Sequence, residues 1–555
     1  MGTGSKTRFN HVFLVALLAA SLISTSAIAE SDEVNFDEAY ALIQNHLQRT
    51  AREHQTPGMA MAITARDRPL HEFYQGVSDL KTQEPVTSET LLAIGSIGKS
   101  FTAVALLALH DDGLIDAHEP VSKFLPWWKV DSTMPITAHH LLTHMSGMPG
   151  YRGDMSCSIY ETLWMNQLPF QLEPDKQYHY SSNGYSILGH LIRAVSGQAY
   201  SEVVRQKILD PLEMNHSEPV LVNEMRQRLA ASYRPLYDDR PKHPDDPLVD
   251  AGFYEYSLGA GSVSCTASDL AKYLRMLLNR GQGALTEKSF QLLTQRVVPR
   301  GPGYHYGYGL EVLERNGHTV LRHGGGCFGF QSILVGDLDD GLGVVLLANG
   351  PTDGSFAEFA LQVMQAARAG KPLPAPPPPS PLVADPADYA GVYQATDGRQ
   401  LKFRAVGSDL VLDYNDQVVK LALTGPDQYC TRHPDLSKFL LRFGRQASNV
   451  VAVSHGSDWY VNDHYDGPRE FDVSRSWLAY PGRYRATTLP PTRLSVVLKK
   501  GTLWLVGSGG QETELVSTGN GKFRLRNLPE WLHFDTIVED QALRVDYSGA
   551  TCYRY

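Results

Sequence analysis

The sequence predicts an α+β domain, an antiparallel sheet flanked by helices, followed by two small antiparallel β-barrel domains. Three observations lead there. Helical periods fill the middle of the first 370 residues while alternating, strand-like runs lie towards both ends, so the terminal segments share one sheet. A proline-rich linker at residues 371–382, with four consecutive prolines at 376–379, prefers extended polyproline geometry and sets the C-terminal part of the chain apart. Beyond it Tyr389-Ala390-Gly391-Val392-Tyr393 recurs as Tyr480-Pro481-Gly482-Arg483-Tyr484, an offset of 91 residues, among short alternating strands with polar turns. The two barrels are placed at residues 383–473 and 474–555.

The chain opens with Lys6 and Arg8, an apolar run over residues 12–23 and the small-residue site Ala27-Ile28-Ala29 before Glu30. This is the pattern of a secretory signal peptide, so residues 1–29 are expected to be removed and the mature protein to be secreted or periplasmic. No later segment is long and apolar enough to span a bilayer. Residues 36–52 carry apolar side chains at helical spacing, and Pro57-Gly58 ends that helix. Residues 59–64 and 70–76 alternate on either side of Arg66-Asp67-Arg68-Pro69, a hairpin. A strongly apolar helix begins at Ser96, and residues 135–147 read as a short helix with a glycine stop. Two helices, 184–195 and 199–208, are parted by Ser196-Gly197, and residues 237–247, rich in proline, aspartate and arginine, predict an exposed loop or insertion. Residues 267–278 form an amphipathic helix with Asp269 in its first turn. Strands are expected at 306–313, 318–323, 330–337 and 343–349, then a helix at 355–367.

With 555 residues and 42% hydrophobic content the chain can bury several packed cores. Its net charge of -10, without a basic tract, leaves no electrostatic footprint for nucleic acid or an anionic membrane. The five cysteines, Cys157, Cys265, Cys327, Cys430 and Cys552, lack metal-type spacing, and their odd count leaves at least one thiol unpaired within the chain. Cys327 reads as a small buried filler. The 20 histidines contain no H-E-x-x-H, so no metal and no cofactor is expected, and His139 and His140 read as packing and surface positions.

Three elements carry chemistry. In Ser96-Ile97-Gly98-Lys99 one helical turn lays the lysine amine beside the serine hydroxyl, and an adjacent amine is one of the few ways to activate so poor a nucleophile. Spacing alone is weak evidence, because Ser78-Asp79-Leu80-Lys81 matches it equally, although Thr82-Gln83-Glu84-Pro85 makes that copy a turn. The second element is Tyr178-His179-Tyr180-Ser181-Ser182-Asn183, in which Tyr180 can shuttle a proton for a serine–lysine pair. The third is Arg322-His323-Gly324-Gly325-Gly326-Cys327, whose glycines let a strand edge approach a substrate closely.

In this order and at these separations the elements resemble the serine β-lactamase and penicillin-binding-protein superfamily, closest to the class C β-lactamase and D-Ala-D-Ala carboxypeptidase branch. Its motifs S-x-x-K, Y-x-N and K-T-G or H-x-G fall on Ser96 to Lys99, Tyr180-Ser181-Ser182 and His323-Gly324-Gly325. Flanks such as Leu141-Leu142-Thr143-His144-Met145-Ser146-Gly147 and Ala260-Gly261 extend the match over about residues 35–370. The resemblance implies a β-lactamase-like serine hydrolase domain at residues 30–370. In it Ser96 forms an acyl-enzyme, Lys99 and Tyr180 handle the proton as a coupled pair, and the amides of Ser96 and Gly326 form an oxyanion hole. Ser182, His323 and Gly325 would then contact substrate, and His144 would be structural.

One departure bears on substrate. Ser182 stands where the family's lactamases have asparagine, and Asn183 comes one position late. A hydroxyl reaches less far than a carboxamide, and H-x-G lacks the fixed cation of K-T-G, so efficient β-lactam hydrolysis is not expected. The appended barrels look like the D-aminopeptidase arrangement. The expected partner is a small peptide, amide or ester substrate, with no nucleic acid and no stable membrane span; homo-oligomer formation stays open. The leading expectation is an exported peptidase or amidase on small peptides with D- or unusual residues. A carboxylesterase or β-lactamase with the same site, and a non-hydrolytic penicillin-binding sensor, are the alternatives. The sensor is disfavoured because a pure binder needs neither Lys99 nor Tyr180.

Overall fold

A run of small and apolar residues, Gly58–Ala65, forms β1, and every one of its residues is buried. Its period of two divides them: Met59, Met61 and Ile63 enter one apolar cluster and Ala60 and Ala62 the other. A strand buried on both faces belongs inside a sheet. In the computed structural model, which describes Met1 and residues 35–148, 172–378, 385–486, 493–528 and 530–555, β1 lies between β2 (Pro69–Asp79) and β9 (Leu342–Ala348). Met59 stands opposite Ala348 and Ala65 opposite Leu342, so the two ends of the first 370 residues meet in one antiparallel ladder. With β3 (Glu84–Pro85), β4 (Val298–Gly301), β5 (Tyr304–Tyr306), β6 (Glu311–Arg315), β7 (His318–Cys327) and β8 (Phe330–Asp337), the sheet order is β3-β2-β1-β9-β8-β7-β6-β5-β4.

Helices cover both faces. The helices α1 (Asp37–His54) and α6 (Ser355–Arg368) pack over the Met59 face, and α2 (Gly98–Asp111) and α5 (Ala267–Leu278) belong to the cluster on the other. All of α2 from Gly98 to Leu109 is buried, and apart from Lys99, Ser100 and Thr102 these residues are glycine or apolar, as a helix inside a core requires. Each of its fully buried leucines contributes about 1.5–3 kcal/mol relative to an exposed one. Between α2 and α5 lie α3 (Ala138–Leu142) and α4 (Ser182–Ser196). The single strand expected at 306–313 is two, β5 and β6, because the chain turns between them at Gly309 with φ +69°. The strand expected to stop at His323 runs on to Cys327, the turn expected at 82–85 ends in the short edge strand β3, and elements that escaped prediction include the edge strand β4 and a helix at Glu287–Leu293.

The first appended unit is a nine-stranded antiparallel sheet, from Gly391–Gln394 to Asp458–Val461. Its two edge strands, Gln417–Lys420 and Ala422–Gly425, are separated in the chain by Leu421 alone, so the sheet winds nearly closed. The second, between Gly482–Arg485 and Ala550–Arg554, is a closed eight-stranded barrel. The sequence repeat is a structural one. Tyr393 Oη donates to Tyr389 O at 3.1 Å, and Tyr484 Oη donates to Tyr480 O at 2.7 Å.

Residues 237–247, expected as an exposed loop or insertion, are a loop, but one whose charged side chains are partly covered. Asp239 Oδ2 accepts from Lys438 Nζ at 2.8 Å in the first appended unit and from Arg483 Nη2 at 2.6 Å in the second. Arg493 pairs with Asp238, and Arg240 donates to Ser437 Oγ at 3.1 Å. Burial opposes ionisation of Asp239, but hydrogen bonds from Arg240, Lys438 and Arg483 outweigh it and hold the carboxyl well below its usual range. The charges that look solvated in the sequence are neutralised by residues some two hundred positions away.

Phe36–Tyr555 form one compact unit. No helix among the described residues is long and apolar enough to cross a membrane. The expected signal peptide, Cys157 and the end of the proline linker lie outside the described residues. The other four cysteines are buried.

Candidate active site

The site begins where backbones crowd. Gly95 has φ +49°, and a Cβ there would lie 2.7 Å from Gly326 N; a Cβ on Gly325 would lie 2.0 Å from Ile94 O. Only glycines let the Ile94-Gly95 turn and β7 touch in this way. The demand at Gly325 comes from the protein itself. Ser332 Oγ fastens the same turn by donating to Ile94 O at 2.8 Å.

From that turn a 3-10 segment, Gly95–Ile97, leads into α2. Three residues per turn bring positions i and i+3 into line. Lys99 Nζ donates to Ser96 Oγ at 3.0 Å and to Ala260 O at 2.7 Å. Lys99 is fully buried, and among the described residues it has no carboxylate partner. Its amine lies 4.9 Å from the centre of the Tyr180 ring and 5.7 Å from that of Tyr185. Tyr180 is 37% exposed, so a ring touching the buried amine also reaches the open cleft.

The opposite wall is the edge of β7. The β6 ladder ends at Glu311 opposite Arg322, whereas the β8 ladder continues through His323 opposite Leu334 to Cys327 opposite Phe330. Among the described residues, 323–327 are therefore paired on one side only. Gly326 is exposed, with open space where a side chain would stand. His323 is buried, and burial together with Lys99 pushes its imidazole down to about 3. Its Nδ1 lies 2.7 Å from Gly324 O.

The structure thus brings together Ser96, Lys99, Tyr180, His323 and Gly326. It shows Ser182 as the first residue of α4, behind the cap that Ser181 Oγ makes by accepting from Gly184 N at 3.3 Å. One helical position turns a side chain by about 100°. Asn183 is accordingly in the core, fully buried with both amide atoms unpartnered, and does not replace the family's asparagine. Sequence reasoning missed the Ala260 carbonyl, although Ala260-Gly261 was part of a recognised flank, and missed Tyr306. One tyrosine among 27 carries no signal; the Tyr306-Gly307-Tyr308-Gly309 alternation was the available one. His144, read as structural, touches Tyr180 with ring centres 4.3 Å apart.

A serine whose hydroxyl accepts a buried amine's hydrogen bond, at the head of a buried helix and beside a half-free strand, places the protein among serine hydrolases. The chain belongs to the Beta-lactamase family, whose model matches residues 41–369. It is 27% identical over 397 residues to "Penicillin-binding protein 4" of Amycolatopsis lactamdurans, covering 65% of this chain and 99% of that one. It is 29% identical over 259 residues to "Teichoic acid D-alanine hydrolase" of Staphylococcus aureus (strain MRSA252), covering 46% and 61%. In fold it is similar to the octameric penicillin-binding protein homologue from Pyrococcus abyssi, with a TM-score of 0.55 and 23% identity over 76% of this chain and all of that one.

Proposed function

We propose that the protein is an exported serine peptidase or amidase that cleaves small peptides containing D- or otherwise unusual residues through an acyl-enzyme on Ser96. The observation that carries this is the 3.0 Å contact between the buried Lys99 amine and the Ser96 hydroxyl. Ser96 Oγ attacks the substrate carbonyl carbon, and its proton passes to Lys99 and Tyr180 acting as one coupled pair. The tetrahedral oxyanion is met by the amides of Ser96 and Gly326, a reading that the close approach of Gly95 to Gly326 supports. The C–N bond then breaks, the amine leaves with the proton, and water releases the acyl group by the reverse sequence. Substrate lies along 323–327, with His323 and Gly325 on the strand side and Ser182 on the helix side.

Two observations favour peptides over penicillins. The imidazole that replaces a lysine is neutral, so it offers no fixed cation to a β-lactam carboxylate. Asn183 is buried in the core and cannot hold the substrate amide. A relative named for D-alanine hydrolysis supports D-residue chemistry. Export rests on the N-terminal signal pattern.

The test compares wild type with Ser96→Ala on a D-amino-acid anilide, a short-chain nitrophenyl ester and a chromogenic cephalosporin. We expect the anilide to be preferred and its turnover to fall at least about 10³-fold in the variant. Wild-type turnover by Ser96→Ala would sink the nucleophile assignment, and preference for the ester or the cephalosporin would sink the substrate assignment.

A further inference from the structure

The residues on either side of Tyr180 are both held by His144. The carbonyl of His144 accepts from His179 N at 2.9 Å, and its Nδ1 accepts from Ser181 N at 3.0 Å. Beyond that ring the bonding continues: His144 Nε2 lies 3.3 Å from Tyr306 Oη, and Tyr306 Oη lies 3.2 Å from His323 Nε2. His144, Tyr306 and His323 are all buried.

Both ends of this chain have a fixed sense. A backbone N–H can only donate, so Nδ1 of His144 carries no hydrogen and the neutral ring is protonated at Nε2. A carbonyl can only accept, so His323 holds its hydrogen on Nδ1, directed at Gly324 O. Nε2–H of His144 therefore donates to Tyr306 Oη, and the Tyr306 hydroxyl donates to His323 Nε2. One directed chain crosses from the segment that presents Tyr180 to the strand edge of the cleft. The backbone of His144 is left-handed, φ +59°, a conformation that a non-glycine residue keeps only when its surroundings hold it there.

We propose that His144 and Tyr306 are positioning residues for this hydrolase: they fix Tyr180 and His323 on opposite walls of the cleft and confine each imidazole to one tautomer. The proposal rests on Ser96, Lys99 and Tyr180 being the acylation machinery.

The surrounding charges work in the same direction. Lys99, His323, His179 and Arg300 face His144, as do the phenols of Tyr178, Tyr180, Tyr185 and Tyr306; Lys99 and Arg322 face His323. The nearby carboxylates are engaged elsewhere, Glu311 with Arg322 at 2.6 Å and Glu530 with His179 at 2.9 Å. A proton added to either ring would meet cations and would reverse a hydrogen bond. Without the Tyr306 hydroxyl, His323 Nε2 loses its donor and is free to take a proton beside Lys99.

The test is Tyr306→Phe, assayed as kcat/KM against pH on the preferred substrate, with a thermal melt as folding control. We expect the acid limb to move up by about one pH unit or more, with activity recovered as pH rises; a profile superimposable on that of wild type would overturn the proposal. Imidazole ¹⁵N spectra of the wild-type protein, assigned with His144→Gln and His323→Gln, need neither turnover nor a folded Tyr306 variant. They should show His144 as the Nε2–H tautomer and His323 as the Nδ1–H tautomer between pH 6 and 8. The opposite tautomer or an imidazolium at either residue would overturn the proposal. The same tautomers in Ser96→Ala, should that variant keep wild-type turnover, would separate failure of the nucleophile reading from failure of this one.

Discussion

Ser78-Asp79-Leu80-Lys81 and Ser96-Ile97-Gly98-Lys99 have identical spacing and opposite fates. Ser78 sits near the end of β2, and its hydroxyl donates to Glu84 O at 3.2 Å; Lys81 lies beyond the strand, its side chain 75% exposed, 3.4 Å from Asp250 Oδ2. A serine in a strand and a lysine in the turn after it do not face each other, because successive strand residues point to opposite sides. Ser96 begins a 3-10 turn that runs into a buried helix, and there the same spacing closes to 3.0 Å. The motif acquires its chemistry from the conformation on which it is written.

The comparison can be attacked from both sides. The largest effect after loss of the nucleophile is expected at Lys99. Lys99→Met should lower kcat/KM by about 10²–10⁴-fold, while the melting temperature holds or rises, because an amine without a carboxylate partner is exchanged for an apolar chain in a buried site. A melt lowered together with activity would mean that the amine is structural.

An intermediate effect separates the surroundings of the two pairs. The Ser96 site contains His323, held at about 3, and His144, held well below its usual value. Both are depressed bases, so the unfolded chain binds their protons first and stability falls as pH drops below the unfolded value near 6.5. At pH 5 His323 costs about 2 kcal/mol, and His144 adds a loss of the same sign. Chemical denaturation at pH 8 and pH 5 should show the loss in wild type and a smaller loss in His323→Gln. An equal loss in both would remove His323 from the account. The smallest effects belong to the other copy: Ser78→Ala and Lys81→Ala should each leave kcat/KM within about twofold, since Ser78 donates only to Glu84 O and the exposed Lys81–Asp250 pair is worth at most about 1 kcal/mol. A tenfold fall in either would erase the contrast.

The extent to which this was legible depends on the range of the interactions. The period of β1, the apolar run of α2 and the tyrosine repeat after the linker are local patterns, and the sheet and the two appended β units arise from them. The choice of Ser96 over Ser78 needed Tyr180 and His323 in the same sequence. The features that escaped depend on contacts without local trace. Asp239 looks solvent-facing until Lys438 and Arg483 are brought to it. Tyr306 becomes significant only between two histidines, one of them far from it in the chain. Ala260 contributes a carbonyl, which no side-chain motif can encode.

The ladder between β1 and β9 has a consequence for biosynthesis. Ser96 and Lys99 leave the ribosome early, but Ala260, Gly326 and the strand that closes the sheet at Ala348 come up to about 250 residues later. At ordinary elongation rates that is roughly ten to fifty seconds. Until the last of these segments is made, Ser96 and Lys99 lack part of the surroundings that hold them in the folded protein: first the Ala260 carbonyl, then the glycine edge, and last the strand that closes the sheet.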